Sequence, residues 1–504
     1  MEIHLPQRQS TNDPNSDDGL VLPSTELDPP LDENARHHWL MILVLIYLAF
    51  QIGGQMIPGP MVRIIESIVC ESYWRLHDPN QFTTSGRVPE QFCKISEIQT
   101  EVTAVKGYSD FLEGLLSALC AIPYGMLADR YGRRQAIRLT VPGFILNAII
   151  TNSVLWFSDL FPLRTIWLAA LSWAIGGGPT VAVVAIWTMI ADLTTGATRT
   201  TVFFQVGVAS MTAEFIARVI GSGLMTLNPW ISLMLGCSIV VIGLTFALSL
   251  PETMNNTRRI APLRAADTAA FDELHPILDR ESIDISGRSQ PKISRHCSIA
   301  AKVRAIISPY GFLSNHTILM ALLACTTYQF ANGSSWLLAQ YISSRLSWSL
   351  ARSNLLVSSQ AAISIVVFLF LLPCLSTRVL FVLSPLQKDL YLARASSACL
   401  IFGTLGISLS SHISILAPSL AFQAVGAGFP YLIKSVVTAL VKQEETARLY
   451  SVVELLQSMA TMLSSLCLAS LFTAGLHLGG VWVGLAWLIS GSLFAIVEVL
   501  LWML

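Results

Sequence analysis

The chain has 504 residues, of which 53% are hydrophobic and only 12% are charged, and its mean hydropathy is +0.60. A soluble domain carries about 25% charged residues, so this composition excludes a water-soluble protein. The formal net charge of −1 gives no indication of a nucleic-acid partner. We therefore predict an all-α polytopic membrane protein whose surroundings are the lipid bilayer.

The first segment, residues 1–38, is polar and rich in Asp, Pro and Ser. It has no apolar stretch before Trp39 and therefore does not resemble a cleaved signal. Such a composition predicts a disordered cytoplasmic tail.

Twelve apolar segments follow, each long enough to cross about 30 Å of hydrocarbon as a helix of about 20 residues. Six precede a long polar segment and six follow it, which predicts two six-helix halves, residues 39–250 and 314–504. The predicted spans are 40–62, 105–128, 137–157, 163–193, 200–227, 230–250, 315–342, 354–375, 390–411, 415–441, 449–474 and 481–504.

A polar outer loop, residues 68–101, separates the first two predicted spans and contains Cys70 and Cys93. The outer face permits disulfides, so we predict that these two cysteines form a bridge that holds the loop over the outer mouth. The other cysteines do not show the spacing of metal ligands, and we expect neither a metal nor another cofactor.

The polar segment between the halves, residues 251–313, is rich in charges and contains Pro262, Pro276 and Pro291. We interpret it as a solvated cytoplasmic linker, with a phosphorylation or partner site near Ser289 as the alternative. Most Lys and Arg residues lie in the tail, this linker and the loops on the same side. The positive-inside rule then places both termini in the cytoplasm, and we expect the plasma membrane.

Residues 125–134 read GMLADRYGRR and lie where the second predicted span gives way to the third. They resemble the signature of the major facilitator superfamily, G-x-L-A-D-R-x-G-R-R/K. The resemblance implies the major facilitator fold, with two halves that alternate in access, and a latch between neighbouring helices of the first half. The latch residues are Gly125, Asp129, Arg130, Gly132, Arg133 and Arg134. The alternative is that the arginines only set the topology.

Charged residues within the spans are functional hypotheses because a charge in the bilayer is costly. Glu214 and Arg218 lie one turn apart in the fifth span, and we rank Glu214 first as substrate contact or proton carrier. A structural ion pair between the two is the alternative. Lys434 and Glu454 lie at matching depths in the tenth and eleventh spans. They are predicted to form either a salt bridge that breaks during transport or a static one.

The second span carries Asp110 and Glu113 towards its outer end. We expect a hydrated outer vestibule as the setting of this pair, and coordination of a proton or an amine substrate is the alternative. Amides within the spans either bind substrate or join helices. The amides considered as substrate contacts are Gln51, Gln55, Gln329, Asn332, Gln360 and Gln423. The run Gly176-Gly177-Gly178-Pro179 breaks helix regularity and predicts a hinge.

The resemblance extends over residues 175–225, which are similar to the fourth and fifth spans of fungal major facilitator transporters found with secondary-metabolite pathways. The outer-loop cysteines and the segment IPYGMLADRYGRR are also similar to the proton-coupled folate transporter group. Two departures weaken the case for proton antiport: Ser172 stands where many proton-driven members have an arginine, and residues 217–222 read ARVIGS instead of G-P-x-x-G-G.

The sequence therefore predicts a secondary active transporter of a small organic molecule, with efflux of a metabolite or drug favoured by the resemblance. Proton coupling is a further hypothesis. An importer of a small organic solute and a transporter-fold sensor are the alternatives. An enzyme is not expected, since the sequence shows no nucleophile, metal or nucleotide motif. We expect the protein to act as a monomer.

Overall fold

The computed structural model describes residues 33–79, 82, 88–194, 196–250, 315–371, 374–375, 385–441 and 446–504. All regular structure among these residues is helical. The helices are α1 (Glu33–Met56), α2 (Pro58–His77), α3 (Ser96–Tyr131), α4 (Arg133–Trp156), α5 (Ser172–Gly176), α6 (Gly178–Leu193), α7 (Gly196–Leu227), α8 (Pro229–Ala247), α9 (His316–Asn332), α10 (Leu338–Leu346), α11 (Leu350–Val366), α12 (Pro385–Leu409), α13 (Ile413–Val425), α14 (Phe429–Ala439), α15 (Thr446–Leu478) and α16 (Leu485–Met503).

Short 3-10 segments complete several spans. Leu163–Leu171 leads into α5, Ser335–Leu337 joins α9 to α10, Gly426–Gly428 joins α13 to α14, and Gly480–Gly484 precedes α16. A π-helical segment, Val367–Leu371, extends α11. These irregular turns let one span continue through a break in its i→i−4 hydrogen bonds without leaving the bilayer.

Ten helical segments among the described residues are long and apolar enough to cross a membrane. The all-helical membrane fold predicted from composition is thus confirmed. Two long segments fall outside the ten, namely α3 and the pair α9–α10. Helix α3 carries Lys106, Asp110 and Glu113, which lower its mean hydropathy. For these two segments, spanning stays a prediction.

The predicted outer loop 68–101 is more ordered than its polarity suggested. Helix α2 continues the first span to His77, and α3 begins already at Ser96. We define the disulfide face as the side of the molecule that carries Cys70 and Cys93, and the signature face as the side that carries residues 125–134. Most of the predicted tail (1–32) and the predicted linker lie outside the described residues.

Small residues let helices approach closely within the first half. A Cβ atom on Gly143 of α4 would lie 2.6 Å from the Cα of Gly176 in α5. A Cβ atom on Gly53 of α1 would lie 2.7 Å from the carbonyl oxygen of Gly236 in α8. Close backbone approach replaces the hydrophobic driving force that is missing between helices in lipid.

Two helix pairs join the halves most extensively: α3 packs on α15, and α7 packs on α11. The first pair joins the second span to the eleventh, and the second pair joins the fifth span to the eighth. The second and eighth spans hold the same position in their halves, as do the fifth and eleventh, so the two pairs are equivalent. A cavity lies in the space between the two pairs.

Candidate functional site

Two cavities lie between the halves and share Asn332 and Ser335 in their walls. The acidic cavity has a volume of about 510 Å³ and lies among α3, α6, α9 and α15. The ion-pair cavity has a volume of about 370 Å³ and lies among α7, α9, α11, α13 and α14. Together they form the central cavity, and each is large enough for a small organic molecule.

The acidic cavity has one acidic wall and one wall of amides and hydroxyls. Asp110, Glu113 and Ser117 occupy one face of α3, since residues three and four apart lie above one another on a helix. The second half contributes uncharged polar groups and an indole ring. These are Gln329, Asn332, Ser335, Trp336, Ser458, Thr461, Ser464 and Ser465. The structure therefore places Glu113 in the cavity between the halves and not in an outer vestibule.

The two acids of this cavity differ in their partners. Asp110 forms an ion pair with Lys106, one turn earlier on α3. The Lys106 ammonium also lies 5.9 Å from the centre of the Trp336 ring, across the boundary between the halves. Within the described residues, Glu113 has no Lys, Arg or His nitrogen within 4.0 Å. The side chains of Trp173 and Asn147 neighbour its carboxylate.

In the ion-pair cavity, Glu214 accepts from Arg218 at 2.6 Å, on the same face of α7. Arg218 Nε also donates to Gln55 Oε1 of α1 at 3.3 Å. Glu214 therefore lines a cavity, as predicted, and is also paired as the structural alternative predicted. The charge of Glu214 is therefore balanced by a neighbouring cation.

Amides complete the two cavities. Gln360 Nε2 donates to Gln423 Oε1 at 2.7 Å, between α11 and α13. Gln329 Nε2 donates to Thr461 Oγ1 at 2.8 Å. These predicted substrate contacts already bond to the protein, so a substrate must share or replace those bonds. Asn332 lines both cavities, and no side-chain hydrogen bond of Asn332 occurs with a described residue.

The glycine run in the fourth span breaks the helix where the sequence predicts it. Gly177 and Gly178 have φ values of 73° and 81°, in the left-handed region that glycine tolerates. Helix α5 ends at Gly176 and α6 begins at Gly178. The break adjoins the acidic cavity, since Pro179 lines it and Ser117 Oγ lies 3.3 Å from the Gly177 carbonyl oxygen, to which it donates.

Two side chains of the predicted latch, those of Asp129 and Arg130, lie outside the described residues. Arg133 Nε lies 3.4 Å from Asp192 Oδ2, at the end of α6. Arg134 donates to the Leu248 carbonyl oxygen at 3.2 Å. Asp192 is thus an acid of this region that the sequence analysis did not include.

The two signature glycines differ in their local structure. Gly132 has φ 106° and separates α3 from α4. Gly125 lies inside α3, and a Cβ atom there would meet nothing within 4 Å. Neither a turn nor close packing requires glycine at position 125 in this conformation.

At the signature face of the second half, Lys434 Nζ donates to Glu454 Oε1 at 2.7 Å, which joins α14 to α15. The Glu454 side chain is 63% exposed. Nearby Tyr431 is 59% exposed and lines the ion-pair cavity. The predicted salt bridge is present at the mouth of the cavity, within one half of the molecule.

The disulfide face contains a charged cluster that the sequence analysis missed. Cys70 and Cys93 are joined in a disulfide, which ties α2 to the 3-10 segment Glu90–Cys93. Around it lies the four-charge cluster, which consists of Arg63, Glu66, Glu90 and Lys94. Glu66 is fully buried and accepts from Arg63 at 2.9 Å, from Lys94 at 2.7 Å and from Gln99 at 2.6 Å. Two acids balance two cations, so the burial of Glu66 leaves no net charge.

The same cluster contacts the second half. Glu90 Oε1 accepts from the Leu350 backbone N–H at 2.7 Å, at the N-terminus of α11. A carboxylate at this position is favoured by the free N–H groups and the dipole of the helix. Buried Gln340 donates to Gln99 Oε1 at 2.8 Å and to Thr103 Oγ1 at 3.0 Å.

A third contact between the halves lies at the same face, where Asn354 Nδ2 donates to Ser222 Oγ at 2.8 Å. The hydrogen bonds that join described residues of the two halves all lie at the disulfide face. The central cavity is therefore closed towards the disulfide face, and its exposed residues Tyr431 and Glu454 lie towards the signature face.

Two signals in the sequence point to the missed residues. Arg63 and Glu66 are opposite charges three residues apart directly after an apolar run, and they lie between the predicted span 40–62 and the predicted outer loop 68–101. Gln340 is an amide inside a predicted span, the same property that selected Gln329.

Comparison with known proteins agrees with this architecture. The family model described as Major Facilitator Superfamily matches residues 103–464. The MFS-type transporter aprT of Aspergillus flavus is 39% identical over 479 residues, which cover 95% of this chain and 90% of the relative. The MFS efflux pump atnC of Emericella nidulans is 30% identical over 95% of this chain and 89% of its own length.

Among solved structures, a bacterial homologue of the iron transporter ferroportin in an inward-facing state superposes with a TM-score of 0.58 at 14% identity. The match covers 92% of this chain and 99% of that one, and it bears on the fold alone. The likeness to the proton-coupled folate transporter group stays a prediction, because none of these matches bears on it. The relatives and the family model agree with the signature at residues 125–134, and this chain belongs to the major facilitator superfamily.

Proposed function

We propose that this chain exports a small organic molecule, of the kind made by secondary metabolism, through the central cavity by alternating access. The observation that carries the proposal is a cavity between two helical halves, with hydrogen bonds between described residues of the halves closing it towards the disulfide face. A fungal relative that covers nearly the whole chain is named an efflux pump, which supports the outward direction.

The roles of the residues follow from their positions. Asp110, Glu113, Gln329, Asn332 and Trp336 contact the substrate in the acidic cavity. In the ion-pair cavity, that role belongs to Glu214, Arg218, Gln360 and Gln423. The signature residues hold the helices of the first half together at the signature face, and the glycine hinge adjusts the wall beside the cavity.

Energy for the cycle comes from an ion gradient, since the sequence contains no P-loop for nucleotide hydrolysis. Protons are the coupling ion in this proposal, because acids line both cavities. We place the protein in the plasma membrane as a monomer with cytoplasmic termini. In that orientation the signature face is cytoplasmic and the cavity loads from inside the cell.

A comparison of intracellular and secreted metabolites tests the proposal. Cells that lack the chain are complemented with the wild type, with Asn332→Trp, which fills the point shared by both cavities, or with Leu235→Trp. Leu235 is exposed on α8 and adds the same bulk outside the cavity. We expect one compound to be retained in the deletion and Asn332→Trp cells and secreted with the wild type and Leu235→Trp.

Other outcomes distinguish the alternatives. Loss of uptake of a solute in the deletion cells would assign an importer. Unchanged metabolites together with an altered transcriptional response would assign a sensor.

A further inference from the structure

The acids that the sequence placed at the substrate or proton site differ in how their charge is balanced. Asp110 pairs with Lys106, Glu214 pairs with Arg218, and Glu454 pairs with Lys434. Among the described residues, Glu113 alone of these four acids has no cationic partner within 4.0 Å. The ranking based on sequence, with Glu214 first, therefore changes once the structure shows the partners.

Glu113 also occupies the better position for exchange with a ligand. It lines the acidic cavity, and the groups that face it from the second half are amides, hydroxyls and the Trp336 ring, with no charge among them. The charged groups nearest to it, Lys106 and Asp110, lie on its own helix and balance each other. From the first half, Trp173 and Asn147 neighbour its carboxylate. The indole N–H of Trp173 is buried beside Glu113 and meets the geometry of a hydrogen bond with none of the described residues.

An isolated carboxylate in a partly buried cavity is costly, so it must be neutralised by a proton or by a cation. Among the described residues, no Lys, Arg or His supplies a cation to Glu113. The neutralising group therefore arrives from solution, and a bound proton and a bound cation exclude each other.

We infer that Glu113 binds a proton and a cationic nitrogen of the substrate in alternation, so the transported molecules are small organic cations such as protonated amines. The Trp336 ring offers a face for cation–π contact, and Gln329 and Thr461 offer hydrogen bonds to the rest of the molecule. Each cation that binds releases one proton, and each proton that returns displaces one cation. This inference rests on the proposed transport through the central cavity.

The test uses the purified full-length protein and tetraphenylphosphonium, a permanent organic cation. Calorimetric titration in two buffers of different ionisation enthalpy counts the protons released. For the wild type we expect about one proton released per bound cation, and an affinity for the cation that falls as the pH is lowered, by at most about tenfold per pH unit. Glu113→Gln should bind the cation about 10- to 100-fold more weakly and release no proton.

Two further variants separate a direct role from misfolding. Glu113→Asp keeps a carboxylate and should restore proton release. Glu101→Gln removes an acid from the same helix that pairs with Arg164 at the disulfide face, and it should behave as the wild type. Unchanged proton release in Glu113→Gln would overturn the assignment of the exchange to this residue.

Failure of the inference and failure of the proposed function give different results. If the wild type does not bind tetraphenylphosphonium saturably, and the metabolite comparison identifies a neutral exported compound, export stands and the cationic substrate class is wrong. If tetraphenylphosphonium binds with proton release and no compound is exported, the exchange site stands and the export function is wrong.

Discussion

The two faces of this transporter are held together in different ways. At the disulfide face, hydrogen bonds from Gln340, Leu350 and Asn354 cross between the halves, and a balanced charge cluster is buried beside them. At the signature face, the described ion pairs, Arg133 with Asp192 and Lys434 with Glu454, stay within one half. The difference shows that the halves can separate at the signature face without loss of these ion pairs. Opening the disulfide face must instead break contacts between the halves.

The first half contributes the charged groups of this closed face. The four-charge cluster lies wholly within the first half, and the second half adds only the Leu350 N–H and the Gln340 amide. Opening at the disulfide face therefore costs hydrogen bonds to neutral groups, whereas the buried charges stay paired. A gate built in this way is closed firmly and still reversible, because a neutral hydrogen bond contributes about 1 kcal/mol and the bond from the Leu350 N–H to the Glu90 carboxylate about 1.5–3 kcal/mol.

The largest loss of stability is expected for Glu66→Gln, because this substitution leaves the buried Lys94 ammonium with only one of its two acidic partners. Removal of one partner of a buried pair costs about 3–5 kcal/mol. The free energy of unfolding in mixed micelles measures the loss. The control Glu101→Gln breaks an exposed pair with Arg164 and should cost at most about 1 kcal/mol. Equal losses in both variants would show that the cluster is no more important than a surface pair.

The second largest loss of stability is expected when Cys70 and Cys93 are both replaced by Ser. The bridge closes a segment with a sequence separation of 23 and holds Glu90 and Lys94 beside Glu66. Loss of a bridge of this kind costs about 2–4 kcal/mol of unfolding free energy. The same denaturation measurement applies, with Cys237→Ser as a control that removes an unbridged thiol of the first half. An unchanged unfolding free energy in the double variant would contradict the structural role given to the bridge.

Gln340→Ala sharpens the comparison, because it removes a contact between the halves and leaves the four-charge cluster intact. We expect the equilibrium between the closed and the open disulfide face to shift towards the open state by about 1–3 kcal/mol. The readout is the labelling rate of Ala118→Cys, which lines the acidic cavity, with an impermeant maleimide applied from the disulfide side. Gln360→Ala removes an amide that bonds within the second half and should leave the rate unchanged. Slower or equal labelling in Gln340→Ala would argue against its role in closure.

The smallest effect on stability is expected at the signature face, for Glu454→Gln. Glu454 pairs with Lys434, and the Glu454 side chain is 63% exposed. The pair joins two helices of the same half. Exposed pairs contribute about 0–1 kcal/mol, and salt screens them. Unfolding free energies at low and high ionic strength measure the difference from the wild type. A loss as large as that of Glu66→Gln would mean that the two faces are not held together differently.

Much of the site was accessible from the sequence because the bilayer penalises unusual residues. Asp110, Glu113, Glu214 and Gln360 stand out in apolar segments, and all four line the central cavity. The glycine run at 176–178 predicted the helix break, since only glycine adopts positive φ without strain. Gln340 is also an amide within an apolar segment, and the structure makes it a contact between the halves.

Other features depend on which side chains meet. Glu66 lies between the first predicted span and the predicted outer loop, and Lys94 and Gln99 from a distant segment bury it. The choice among the four acids likewise depends on their neighbours, because the pairing of Asp110, Glu214 and Glu454 leaves Glu113 without a cation. Ion-pair partners within one helix follow from spacing, but a missing partner is visible only after packing.

By itself, the sequence determined the membrane class, the family and most of the polar lining, because apolar length, the signature and intramembrane charges are local properties of the chain. Only the tertiary structure decided which face is closed, where Glu66 is buried and which acid is free to bind a ligand. Those properties depend on distances between residues such as Gln99 and Gln340 that are far apart in the chain, and no local pattern encodes such distances.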